Sequence, residues 1–522
     1  MADECMQSIK ELFQKYEKDE YMLKRIHSHV VNYLPKTLDN EYNNYTKRVN
    51  RNTYLTKEQQ VFIQIFLSKN KYYYLQNNNL FYEYNGKTYH IVKEDDIIHQ
   101  LLSTISKDRT LLQWKYKTKS NIIKLIKERT LFQSIPETET IQNVLNILWP
   151  SIFISKNAAK YFLTVVGDNI LKKKSNLIFL VTLKMKQLLN ELDDIAVASI
   201  GNSNITNNFM TKYHENHSYE NCRLIQINED YSNELWREML KKVGLDLLCV
   251  AAHYSTRYEN SDKFIDLKSD EELRLYSYYL KERSQQNIVD TFCNSYIVKA
   301  KDTISMEWKN IHFVWKQFLS EYHFPNIIYS NSFKNLLKEK YLYNEEQDSF
   351  IGITSMYIPI QNDFIKFWNN TITSSYYTLY DIFMKELEID ELCNLFKLWT
   401  KKTSEPLMTN GNISEENVIK ILNHFFPFVE IIEDKYVLNV CSSLWNKEVD
   451  IENSMQFIKE EIKKNQELEM ISLDELYKYY NKYCNSNSIK LIVSKRYFEK
   501  YLRMKFSSYI VYDTFLETKM LI

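Results

Sequence analysis

The sequence predicts a mainly α protein with small antiparallel β elements (α+β), folded as several domains. Three observations carry this. Gly and Pro, which cost roughly 1 and 3 kcal/mol in a helix interior, number only 6 and 7 in 522 residues. Hydrophobic residues make up 44% and charged residues 26%, the balance of a chain that buries a core. Apolar side chains recur at three- and four-residue spacing over most of the chain, and one aromatic stretch breaks that rhythm.

Residues 1–50 alternate charge with Leu, Ile and Tyr and read as a short helical lead-in. Thr56 and Gln59 have capping-box spacing ahead of an apolar run, which predicts a helix start there. Residues 71–92 then read as short aromatic strands, with Asn85-Gly86 as a type I′ hairpin signal, so a small antiparallel meander is expected. Helical periodicity returns over 96–200. The polar stretch 201–222 reads as a loop or domain boundary, and helices resume at 231–256 and 268–300. Trp308, Ile311, Trp315, Phe318 and Tyr322 form an amphipathic stripe whose bland reading, core packing, is preferred. Segment 401–413 reads as a linker. Beyond it come a helix at 415–425, a hairpin turning near Glu433-Asp434, a helix capped by Ser472, a second helix over 494–506 and a short strand. Helix, helix and β-ribbon in so few residues suit a winged-helix-like module. No repeat of 20–50 residues is visible. The expected domains are 1–200, carrying the meander at 71–92, 223–400, and the winged-helix-like 414–522.

Lys+Arg and Asp+Glu both number 67, so the whole-chain field favours no polyanion and any electrostatic partner must be met locally. Seven scattered cysteines without a C-x-x-C pair read as free thiols in a reducing compartment. The charged first twenty residues lack the apolar core of a secretory signal, and no run approaches the roughly 18 apolar residues of a bilayer span. A cytoplasmic protein with no membrane partner is expected.

Several chemistries have no residues to support them. A phosphate loop needs G-x-x-x-x-G-K-[ST]; Gly86-Lys87-Thr88 has Phe81 where the first glycine must stand. H-E-x-x-H and G-x-S-x-G are absent. Glu94-Asp95-Asp96 suits a helix dipole better than a metal. His214, His217 and Cys222, with Cys249 and His253 further on, are types zinc accepts, but structural zinc sites use tighter paired spacing, so loop histidines and a buried thiol are preferred. No catalytic residue, metal or cofactor is assigned.

Two segments carry positive signals. Lys107, Arg109, Lys115, Lys117, Lys119, Lys124, Lys127 and Arg129 face only two acids in sequence, with Trp114 and Tyr116 among them. Cations neutralise phosphates, and aromatic faces stack exposed bases. In the C-terminal helix Arg496, Lys500 and Arg503 fall on one stripe beside Lys495, opposite Phe498, Tyr501 and Leu502, as in a recognition helix. For both segments the competing reading is an ordinary solvated helix face.

Three stretches, IKERTLFQSIPETETIQNVLN (126–146), AKYFLTVVGDNILKK (159–173) and LDELYKYYNKYC with IVSKRYFEKYL near the C-terminus, resemble D5-like helicase-primase proteins of nucleocytoplasmic large DNA viruses. The AT-rich codons of Lys, Asn, Ile, Tyr and Phe suit such a genome, or that of a protist. The resemblance covers the flanking and C-terminal regions, while the family's ATPase motor has no counterpart here. It implies a non-catalytic, nucleic-acid-associated accessory factor in replication or transcription, with viral replication or transcription proteins as partners. The alternative is a scaffold protein of the virion or replication factory.

Overall fold

The computed structural model describes residues 1–521 except 174, 229–230, 375–384, 404–405, 408 and 465–468. It is mainly helical with small sheets, as its composition predicts. The chain divides into two units, Met1–Ser284 with His323–Tyr329, and Gln285–Tyr322 with Ser330–Ile522. Of the ranges read from the sequence, 1–200 lies in the first unit, 414–522 in the second, and 223–400 in both.

The first unit opens with helices α1 (Ala2–Lys15), α2 (Glu20–Ser28) and α3 (Leu34–Lys69). No helix begins at Thr56. Its hydroxyl donates to the Asn52 carbonyl at 2.8 Å, inside a helix already running from Leu34. A meander follows, β1 (Lys71–Leu75), β2 (Leu80–Tyr84) and β3 (Tyr89–Val92), paired antiparallel in that order. Its second turn has four residues, not two: Tyr84 pairs with Tyr89, and the Asn85 side chain accepts from the backbone N–H of Lys87 and Thr88. Gly86 takes φ 96° while Asn85 does not reach positive φ, so the turn is not the type I′ expected. Period-two alternation lets the meander serve two cores. Tyr72 and Phe81 join Phe62 and Phe66 of α3 with α4 (Glu94–Asp108) and α5 (Lys115–Lys127), while Leu75, Tyr82 and Tyr84 join the larger core.

That larger core is built on α6 (Thr138–Leu148), α7 (Lys156–Ile170), α8 (Leu183–Ile200), α9 (Asn233–Tyr258) and α10 (Ser261–Lys268), with α11 (Glu271–Ser277) beyond. Helices α7 and α9 pack closely, because Gly167 leaves room for the Ala251 backbone. Asp168, one residue on, accepts from Ser255 at 2.6 Å and from the Ser261 N–H at 2.8 Å, tying α7 to α9 and to the start of α10. Between the helices lies a parallel sheet, β4 (Ile178–Leu180) flanked by β5 (Phe209–Met210) and β6 (Cys222–Leu224). The polar stretch 201–222 is therefore no domain boundary, and not every β element is antiparallel. Strands of two or three residues are too short to leave a periodicity.

The second unit repeats one arrangement three times. The first copy runs α12 (Gln285–Tyr296), β7 (Val298–Lys299), β8 (Ser305–Glu307), α13 (Trp308–Glu321), α14 (Ser330–Lys338), β9 (Tyr343–Asn344), β10 (Ser349–Ile351) and β11 (Ile353–Thr354). The second runs α15 (Ile358–Thr371), β12 (Ile372–Ser374), β13 (Glu386–Glu388), α16 (Ile389–Lys402), α17 (Glu415–Phe425), β14 (Ile431–Ile432), β15 (Tyr436–Leu438) and β16 (Val440–Ser442). The third runs α18 (Lys447–Lys464), β17 (Met470–Ser472), α19 (Leu473–Ser486), α20 (Lys495–Lys505), β18 (Ile510–Val511) and β19 (Phe515–Glu517). The sheets are ordered β8-β10-β9, β13-β15-β14 and β17-β19-β18, all antiparallel, and β7–β11 and β12–β16 form matching extra ribbons. A leading helix, a strand, two helices and a two-stranded wing, with the last strand central, is winged-helix order. The repeat, of roughly seventy to eighty-five residues, exceeds the periods of short solenoid repeats. Segment 401–413, of which 404, 405 and 408 lie outside the described residues, connects α16 to α17 inside the second copy. Glu433 and Asp434 both take positive φ at the β14–β15 turn, and Ile311, Trp315 and Phe318 are buried as core.

Two outcomes follow. Alanine normally gains about 1 kcal/mol over glycine in a helix, but a Cβ on Gly167 would lie 2.0 Å from the Ala251 carbonyl oxygen. Gly167→Ala should therefore destabilise the first unit by about 3 kcal/mol, read from its denaturation midpoint. Asp246 is buried beside the meander, where it accepts from the Tyr89 N–H at 2.6 Å, and burial pushes its carboxyl from 3.8 up to about 6. With the folded value raised, the native state holds the extra proton, so the contribution of Asp246 to stability is greatest below about pH 4 and is lost as pH rises through about 6. Asp246→Asn should stabilise by about 1–3 kcal/mol at pH 7.5. That gain should vanish in melts below pH 4.

Candidate nucleic-acid interface

The sequence segment 107–129 forms the end of α4, a corner and α5. The corner turns at Arg109, whose φ of 58° ends α4, and a 3-10 turn at Leu112–Trp114 leads into α5. One face of α5 buries Thr118, Ile122, Ile123 and Ile126, with Gln59 of α3 donating to Thr118 at 2.9 Å. The opposite face presents Tyr116, Lys117, Ser120, Lys124 and Lys127 to water. Lys127 is 3.5 Å from Glu94, Arg129 donates to the Leu67 carbonyl at 3.2 Å, and Lys115 reaches Ser106 at 3.4 Å. Among the described residues Lys107, Arg109, Lys117, Lys119 and Lys124 have no carboxylate partner.

The aromatic roles differ from those read in sequence. Trp114 packs partly onto the core with Lys117 4.1 Å from its ring centre, so the indole is already covered. Tyr116 is the ring left open, at 74% exposure. Arg51 of α3, which sequence spacing could not bring here, donates to Gln113 at 2.5 Å and adds a cation at the corner.

The C-terminal stripe is not free. Its helix buries Tyr497, Phe498, Tyr501 and Leu502 and is capped by Ser494, as its spacing predicts. The cations on the other side meet carboxylates: Lys500 lies 2.9 Å and Arg496 3.9 Å from Glu386, a β13 side chain only 4% exposed. Arg496 also covers the Tyr436 ring of β15 at 3.8 Å. Arg503 pairs with Glu499 at 3.3 Å, Lys495 with Asp474 at 2.5 Å, and Lys505 with Glu452. Arg496 and Lys500 thus tie the third copy to the second, while Lys495, Arg503 and Lys505 pair with carboxylates of the third copy itself.

On the third helices of the other two copies the cations pair within their own copy. On α14, Lys334 pairs with Asp348 at 2.7 Å and Lys338 with Glu345 at 3.9 Å. On α17, Lys420 pairs with Glu416 at 2.5 Å, and His424 is held against α13 by the Lys309 carbonyl at 2.9 Å. Burial there pushes the His424 imidazole down to about 4. Beneath the second and third copies, Lys447 (5% exposed) donates to Glu391 at 2.5 Å and to the Glu386 carbonyl at 3.0 Å. Burial raises the Glu391 carboxyl, and Lys447 opposes that rise.

No metal-holding group of His, Cys, Asp or Glu occurs among the described residues, and the zinc reading of His214, His217 and Cys222 finds no support. Cys222 is buried and donates to the Ser218 carbonyl, and Cys249 is buried as well. No helix among the described residues is long and apolar enough to cross a membrane. The described residues form a mainly helical protein of two units, the second of which repeats one order of helices and strands three times. No protein-family model, curated protein or solved structure matches the chain.

Removing Lys447 would strand the buried Glu391 carboxylate. Lys447→Met should cost about 3–5 kcal/mol in the second unit's unfolding transition, and adding Glu391→Leu should recover most of it. A double variant no better than the single would show that the pair is not what is lost.

Proposed function

We infer that the chain is a non-catalytic, nucleic-acid-associated accessory factor of replication or transcription in a large DNA virus, and that the α4–α5 corner is its contact surface. One observation carries this reading: five cations without carboxylate partners lie along the end of α4, the corner and α5, with an open tyrosine ring among them. Unpaired cations release counterions on meeting phosphates, whereas paired ones must first break a bond to carboxylate. The three D5-like stretches support assigning the protein to a nucleocytoplasmic large DNA virus, with viral replication or transcription proteins as partners.

A second reading, a scaffold of the virion or replication factory, is favoured by the third helices, whose cations are all paired among the described residues. Co-purification with capsid or core components, without genome or polymerase, would favour it over the first.

Anisotropy titration of the full chain with labelled oligonucleotides across a salt series tests the leading reading. The logarithm of affinity should fall against that of salt with a slope of about −4. Lys117→Glu with Lys124→Glu should flatten that slope by about 2. Arg503→Glu should leave it unchanged. Binding that is absent at low salt, or indifferent to salt, overturns the proposal.

A further inference from the structure

An unpartnered apolar line runs along α3 in the first unit. Every residue from Leu34 to Tyr54 is exposed except Thr46, and burial begins only at Leu55. About 30 Å of helix, at 1.5 Å per residue, therefore stands free of the core that anchors the stretch from Leu55 to Lys69. Such a length is marginal in water by itself, because an isolated helix gains little beyond its nucleation cost. Yet its apolar residues are not scattered. Leu38, Tyr42, Tyr45 and Val49 follow at intervals of four, three and four, the spacing of a coiled-coil seam, and Leu34 flanks its start. They are 54%, 68%, 67% and 42% exposed, and Leu34 is 47% exposed.

We propose that this seam pairs antiparallel with the same seam of a second copy of the chain. Two arguments select that occupant. The first is charge. Glu41 and Arg48 flank the seam on one side, seven residues apart, and neither has a partner among the described residues. When two such helices run antiparallel with Tyr42 against the second copy's Tyr45, and Leu38 against its Val49, Glu41 falls opposite the second copy's Arg48. Twofold symmetry then forms the pair twice. A parallel pairing in register sets Glu41 and Arg48 opposite Thr46 and Thr53 and forms no ion pair, so the sequence favours the antiparallel arrangement. The second argument is area. The five apolar side chains and the flanking stems would remove roughly 600 Å² per copy from water, on the order of 1,200 Å² in all, above the ~1,000 Å² a specific interface needs.

The test is the molar mass of the full chain in light scattering after size exclusion, at tens of micromolar protein and moderate salt. The wild type should run as a dimer. Glu41→Arg or Arg48→Glu alone sets like charges opposite each other at two places and should weaken the dimer by about tenfold. The double variant Glu41→Arg with Arg48→Glu restores opposite charges and should recover the wild-type mass. Leu38→Glu with Tyr45→Glu should give a folded monomer, with far-ultraviolet dichroism losing at most the helicity of the free arm. A monomeric wild type overturns the proposal. So does a dimer that ignores the single charge reversals, or one that the double swap fails to restore.

Discussion

The second unit depends on a carboxylate kept out of water. Glu386 sits in the middle winged-helix copy at 4% exposure, where an unpaired charge would cost several kcal/mol. Lys500 and Arg496 of the next copy meet that demand, and the Lys447 amine binds the Glu386 backbone carbonyl and the neighbouring Glu391. Removing one member alone would leave its buried partner without a counter-charge. The cluster fixes α20 facing inward, and with it the register between two copies of the repeat.

This arrangement redistributes the charge of a neutral chain. Equal totals of Lys+Arg and Asp+Glu conceal a contrast between the units. On the third helices of the winged-helix copies the cations stabilise the fold, by pairing with carboxylates or, for Arg496, by also covering a tyrosine face. At the α4–α5 corner cations face water without carboxylate partners. A winged helix reads nucleic acid by offering its third helix to the duplex. Here the cations of those helices are paired with carboxylates, and the basic corner lies on elements of a different kind.

Where local chemistry decides structure, the sequence was legible. The aromatic alternation over 71–92 forms a meander because strand periodicity needs only neighbours. Glu433 and Asp434 turn a hairpin, Ser472 and Ser494 cap helices, and Ile311, Trp315 and Phe318 are core. Where a distant partner decides, the same reasoning failed. Thr56 has a cap's spacing but lies inside a helix that began at Leu34, so its hydroxyl bonds backward to Asn52. Trp114 sits among lysines, yet its ring is covered by one of them and by the core. The repeat of the second unit is not visible in the sequence because its copies share an order of elements rather than a spacing of residues.

By itself the sequence determined the helical class, the meander, the caps and the lack of any phosphate loop, since each depends on residues within a few positions of one another. Only the tertiary structure decided which cations remain open to a ligand. Lys500 and Lys124 are the same residue type on similar amphipathic helices, and a glutamate more than a hundred residues away in the chain is what separates them. Coulomb attraction depends on distance through space and on the exclusion of water. Neither quantity is written in the order of the residues.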